Sequence, residues 1–76
     1  TEMQLMGGNH VHVSGNIIDG GQGYGILLDK SNDSIITGNS CINNGGIYGQ
    51  GDKNLVANNQ ASVQIYGDDN LIEHNI

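Results

Sequence analysis

Tyr48 and Tyr66 are each followed two residues later by a polar side chain, Gln50 and Asp68, and an upstream segment carries Leu27 and Asp29 at the equivalent places. A tyrosine ring can lie on the face of a sugar while a neighbouring amide or carboxylate fixes the hydroxyls. Tyr48, Tyr66 and Gln50 are therefore the candidate substrate-binding residues, and Asp29 and Asp68 the candidate catalytic carboxylates. If the three segments stack at about 4.8 Å per rung, Asp29 and Asp68 stand roughly 9–10 Å apart. That is near the upper end of the carboxylate separation that an inverting glycosidase needs for its water. The plainer alternatives are a solvated Asp at a strand end and a tyrosine pair used for packing or for a subunit contact.

Other residue types offer less. His10 and His12 alternate, as metal-binding histidines can, but no third ligand is evident and His74 lies at the far end of the chain. Asp19, Asp33, Asp52, Asp68 and Asp69 stand beside Gly or Asn, where Asp caps turns, and no calcium-loop spacing accompanies them. No metal and no cofactor is expected. Asn32-Asp33-Ser34 matches a glycosylation sequon, an isolated and weak signal.

The elements that would position these residues are visible as repeats. Val11–Asn16, Ser34–Asn39, Asn54–Asn59 and Asn70–Asn75 each close on Asn, with Val13, Ile36, Val56 or Ile72 three residues earlier. The closing Asn steps by 39−16 = 23, 59−39 = 20 and 75−59 = 16 residues. A second landmark alternates with the first: Gly25–Asp29, Gly46–Gln50 and Gln64–Asp68 align without gaps, their Ile positions stepping by 47−26 = 21 and 65−47 = 18. Self-similarity at this period marks a solenoid, in which each unit buries its apolar face against its neighbours. The expected fold is all-β: a single-stranded parallel β-helix of about three to four coils, two strands per coil, tapering toward the C-terminus. Residues 1–76 form one β-helix segment, read as part of a larger solenoid.

Composition agrees and excludes. With 13 Gly, 11 Asn and no 3.6-residue apolar stripe, helix is disfavoured. Proline is absent, as suits strands whose N–H groups all join a ladder. A formal charge of −6 with only Lys30 and Lys53 basic argues against a nucleic-acid partner and against an anionic membrane surface. Cys41 is the only cysteine, so no intrachain disulfide can form.

Strand alternation divides inside from outside. Val13/Ile36/Val56/Ile72, Val11/Ser34/Asn54/Asn70, Ile18/Cys41/Ala61, Ile26/Ile47/Ile65 and Leu28/Gly49/Gly67 read as inward columns. The closing Asn forms an amide ladder and is expected in the left-handed turn conformation that Asn tolerates. His12, Ile35, Leu55 and Leu71 read as an outward, largely apolar stripe, which a homotrimer would cover; a corner that turns two successive residues inward is the alternative.

The pattern N-x-[IV]-x-x-N followed by a Gly-Ile strand resembles the parallel β-helix repeat of the pectate-lyase-like superfold, over Val11 to Ile76. The resemblance implies right-handed coils and polysaccharide chemistry, as in lyases, hydrolases, uronan epimerases and phage tailspike depolymerases. Three functions are carried forward. One is a structural, glycan-contacting segment of a tail spike or similar recognition appendage, at a virion surface or otherwise extracellular. The second is a piece of a polysaccharide-degrading or -modifying enzyme. The third is a repeat scaffold that binds nothing.

Overall fold

The computed structural model describes residues 3–19, 24–43 and 45–76. Among these residues there are ten strands and no helix, and every strand pairing is parallel. The chain is a parallel β-helix. Its first sheet stacks β1 (Met3–Met6), β4 (Ile26–Asp29), β7 (Gly46–Gln50) and β9 (Ser62–Tyr66). Its second stacks β2 (His12–Ser14), β5 (Ile35–Thr37), β8 (Leu55–Ala57) and β10 (Leu71–Glu73). A third sheet holds only β3 (Ile17–Asp19) and β6 (Ser40–Ile42). The first two coils therefore have three strands each, where the repeat pattern led to two. The reason is local: β3 and β6 place Ile18 and Cys41 inside but leave Ile17 and Ile42 exposed, so neither segment has the long apolar alternation that marks a strand.

Each strand of the second sheet is bracketed by two corners built alike. A left-handed residue comes first, and the next side chain turns inward. The pairs are His10–Val11, Asp33–Ser34, Lys53–Asn54 and Asp69–Asn70 on one side, and Gly15–Asn16, Gly38–Asn39, Asn58–Asn59 and His74–Asn75 on the other. The left-handed conformation expected at the closing Asn thus belongs to the residue before it. The Asn is free to enter the core, and Asn39 and Asn59 are fully buried.

Burial of an amide is tolerable only if its hydrogen bonds are made, and here they are. Asn39 Oδ1 accepts from both the N–H and Nδ2 of Asn16, at 3.1 and 3.0 Å, and Asn39 Nδ2 donates to the Val13 carbonyl at 2.9 Å. Asn59 repeats this with Asn39 and Ile36, and Asn75 with Asn59 and Val56. A second ladder rises on the opposite corner through Ser34, Asn54 and Asn70. No buried side-chain N or O among the described residues lacks a partner.

The core inside these ladders is one file per column. Ile26, Leu28, Ile36, Ile47 and Val56 are essentially inaccessible, with Val13, Ile18, Cys41 and Ala61 beside them. On the last rung described the cover thins, and Ile72 is 41% exposed.

In the last rung the register differs from the sequence alignment. Ile47 pairs with Val63 and Gly49 with Ile65, so Ile26/Ile47/Val63 and Leu28/Gly49/Ile65 are the columns. The expected Ile65 and Gly67 lie two residues further on. A two-residue slip in a strand changes no side chain's face, which is why alternation did not expose it. The taper is real but one-sided. Ile26 follows Asn16 by ten residues, Ile47 follows Asn39 by eight, and Val63 follows Asn59 by four. The opposite connection barely changes: ten residues from Ile26 to Ile36, nine from Ile47 to Val56, nine from Val63 to Ile72. What is lost is the third side. Gln60 makes only an isolated bridge to Ser40 before the chain enters β9.

Two consequences are testable. Gly49 has φ +138°, and a Cβ there would lie 1.9 Å from the Leu28 carbonyl oxygen. Backbone cannot yield as a side-chain tip can, so Gly49→Ala is expected to cost roughly 3 kcal/mol or more in urea unfolding; a loss under about 1 kcal/mol would contradict this packing. Cys41 is buried, and burial disfavours its thiolate and raises its pKa. The folded thiol keeps its proton where the unfolded one releases it, so stability is intact below the ordinary thiol range and falls as pH rises past it. Urea titrations at rising pH should show this fall in the natural chain and lose it in Cys41→Ala.

Candidate functional site

The outward face of the first sheet brings most of the candidate residues together. Register sets them as a grid: Leu27, Tyr48 and Gln64 in one column, and Asp29, Gln50 and Tyr66 in the next. They line an open hollow of about 470 Å³, joined by Tyr24 from the connection just before β4. Three rungs make it about 10 Å long.

The rings are held in definite ways. Tyr24 and Tyr48 have centroids 4.9 Å apart with planes inclined at 59°, a tilted aromatic contact of the favourable kind. The Tyr48 ring leans back over Gly46: a Cβ on Gly46 would fall 2.5 Å from the ring. A residue without a side chain is thus what leaves room for the ring there. Tyr66 is 63% exposed, and Gln64 Nε2 donates to its hydroxyl. Asp29 is half-buried and Gln50 exposed.

Asp68 is elsewhere. It sits at the corner after β9, where its N–H donates to Asp52 Oδ1 and its carbonyl accepts from the Lys53 N–H. The expected columns Leu27/Tyr48/Tyr66 and Asp29/Gln50/Asp68 are therefore replaced, and the Asp29–Asp68 pair is not formed in register. Asp29 has Gln50 and then Tyr66 above it. The same two-residue slip explains both changes.

Tyr24 and Gln64 were not singled out from the sequence. Tyr24 follows a Gly-rich connection with no alternation to place it. Gln64 stands where the slipped alignment put the start of a strand. The signal for Gln64 was present: Asn54 to Asn70 and Asn59 to Asn75 both step by 16, whereas Ile47 to Ile65 steps by 18 and Ile47 to Val63 by 16.

The stripe on the second sheet is on the outside, as alternation required. His12, Ile35, Leu55 and Leu71 are rung neighbours; Ile35 and Leu55 are half-covered, and Leu71 is 53% exposed. The sequon is occupied by the fold: Asn32 Oδ1 accepts the Asp52 N–H, and Ser34 is buried in the second ladder.

Comparison with known families decides the affiliation. The sequence model of the family described as periplasmic copper-binding protein (NosD) matches residues 2–76. The chain belongs to the NosD family. No curated protein and no solved structure matches it.

The family description raises the question of copper, and the donor set of this NosD-family chain answers it. Among the described residues no three His, Cys, Asp or Glu side chains come together as a metal would require. His12 has Ile35 as its rung neighbour, and Met6 has Asp29. Cys41 lies in the apolar core, where burial disfavours the thiolate, the form in which a cysteine ligates a metal. His74 stands 3.7 Å from Glu73 in an exposed pair. These residues do not fit a copper site.

Proposed function

We propose that this chain is a structural segment of a cell-envelope β-helix that contacts glycan through the outward face of its first sheet. The observation behind this is the hollow itself, with Tyr24, Tyr48 and Tyr66 presenting rings beside Asp29, Gln50 and Gln64. Sugar recognition needs that combination: flat apolar faces with acceptors and donors at their edges. The periplasmic description of the family favours an envelope setting over a virion surface, and no step in this reading runs through copper. Catalysis has less support than binding, because Asp29 is the only carboxylate among the hollow's lining residues and glycoside hydrolysis uses two.

The test is a glycan array probed with the natural chain and with Tyr48→Ser. Binding by the first and its loss in the second supports the reading. A natural chain that binds no glycan makes the bare scaffold the better description.

The apolar outer stripe favours a second, compatible feature, a homotrimer packed along the second sheets, as in tail-spike appendages. Light scattering coupled to size exclusion reads it directly: three chain masses support it, and a monomer removes it.

A further inference from the structure

The charge around the hollow says which glycans it can hold. Among its lining residues Asp29 carries the only charge, and no Lys or Arg is present. The chain as a whole has two lysines against eight acidic residues. Lys53 occupies a left-handed corner between β7 and β8. Lys30 lines the neighbouring hollow, which shares Gln50 and Tyr66 with this one and which Asp52 also lines. A sugar lying across the Asp29/Gln50/Tyr66 column would place its substituents within one or two rungs of the Asp29 carboxylate. A uronic acid there would add a like charge beside Asp29, while the one cation of the two hollows, Lys30, lies outside this one and shares its own hollow with Asp52; like-charge juxtaposition is how a site rejects a partner. Hydroxyls can donate to Asp29, and the exposed amide of Gln50 can both donate to and accept from a hydroxyl or an acetamido group.

We infer that the hollow takes neutral sugars, N-acetylated amino sugars included, and excludes polyuronates. This rests on the glycan reading above and names its ligand class. Gly46 is a positioning residue for it. A methyl at Gly46 meets the tip of the Tyr48 ring, which can swing, whereas a methyl at Gly49 meets backbone. Gly46→Ala should therefore displace the ring while the coils stay stacked.

The experiment is a titration of the isotope-labelled chain with three oligosaccharides of equal length, followed through backbone amide shifts. The probes are an N-acetylglucosamine oligomer, a glucose oligomer and a galacturonate oligomer. At least one of the first two should shift the amides of Tyr48, Gln50 and Tyr66, with galacturonate at least about tenfold weaker. Asp29→Asn should narrow that gap by strengthening galacturonate. Gly46→Ala should weaken the neutral ligand by about tenfold, the scale of an aromatic contact, with its circular dichroism spectrum unchanged; should it fail to fold, Tyr48→Ala supplies the same readout. Galacturonate binding as tightly as the neutral oligomers overturns the inference but leaves a glycan-binding face. Shifts confined to the second sheet overturn the site. No shift with any of the three sinks the glycan reading itself.

Discussion

Asn59→Ala is expected to lower the unfolding free energy by about 3–5 kcal/mol, against roughly 1 kcal/mol for Asn16→Ala. The two residues look alike in sequence and differ in their place on the ladder. Asn59 Oδ1 accepts from the N–H and Nδ2 of Asn39, while its own Nδ2 donates to the Ile36 carbonyl and to Asn75 Oδ1. Truncation leaves groups of Asn39 and Ile36 unpaired inside the core, and an unpaired buried group costs its desolvation. Asn16 stands on the first rung and is half-exposed; its Nδ2 donates to Ser14 and Asn39, and the Asn16 N–H keeps its bond to Asn39 without it. Urea unfolding of the two variants reads the difference. Equal losses would mean that the amides contribute as surface turns and not as a ladder.

Ile47→Asp should abolish folding. Ile47 has no accessible surface and sits between Ile26 and Val63. A carboxylate there would be desolvated with no partner, a penalty of several kcal/mol or more. A chain of this size has only a few kcal/mol of stability to lose. Tyr48→Ser, one residue away on the opposite face, should leave the strand signal in circular dichroism intact. Equal damage from both would invert the assignment of inside and outside.

Much of this was legible beforehand because a solenoid repeats its chemistry. The closing Asn steps of 23, 20 and 16 are the observed coil offsets in the second sheet, since Val13 pairs with Ile36, Ile36 with Val56 and Val56 with Ile72. The inward columns through Ile36 and Cys41, and the Ile26–Ile47 step, were readable for the same reason. Three things were not. The register of β9 escaped because Val63 and Ile65 share one face, and hydrophobicity cannot tell which of them opposes Ile47. The left-handed positions were displaced by one residue because Asn suits both a turn and a buried ladder, and only the packing of the coils decides which role it takes. Tyr24 entered the hollow from a connection without periodicity, where nothing in the order of residues says which way a ring will lean.

The stacking of coils also fixes how this chain must find its structure. Each strand pairing joins residues 16 to 23 positions apart, and no β-hairpin exists among the described strands to form first. Every rung must close a loop before its hydrogen bonds return anything, and topologies of that kind fold slowly for their size. The taper ranks those closures. A 16-residue loop closes with about 0.3 kcal/mol less entropy loss than a 23-residue loop, so the narrow C-terminal coils are the less costly nucleus. Growth would then proceed toward the wide end, each finished coil serving as the template edge on which the preceding segment is laid down.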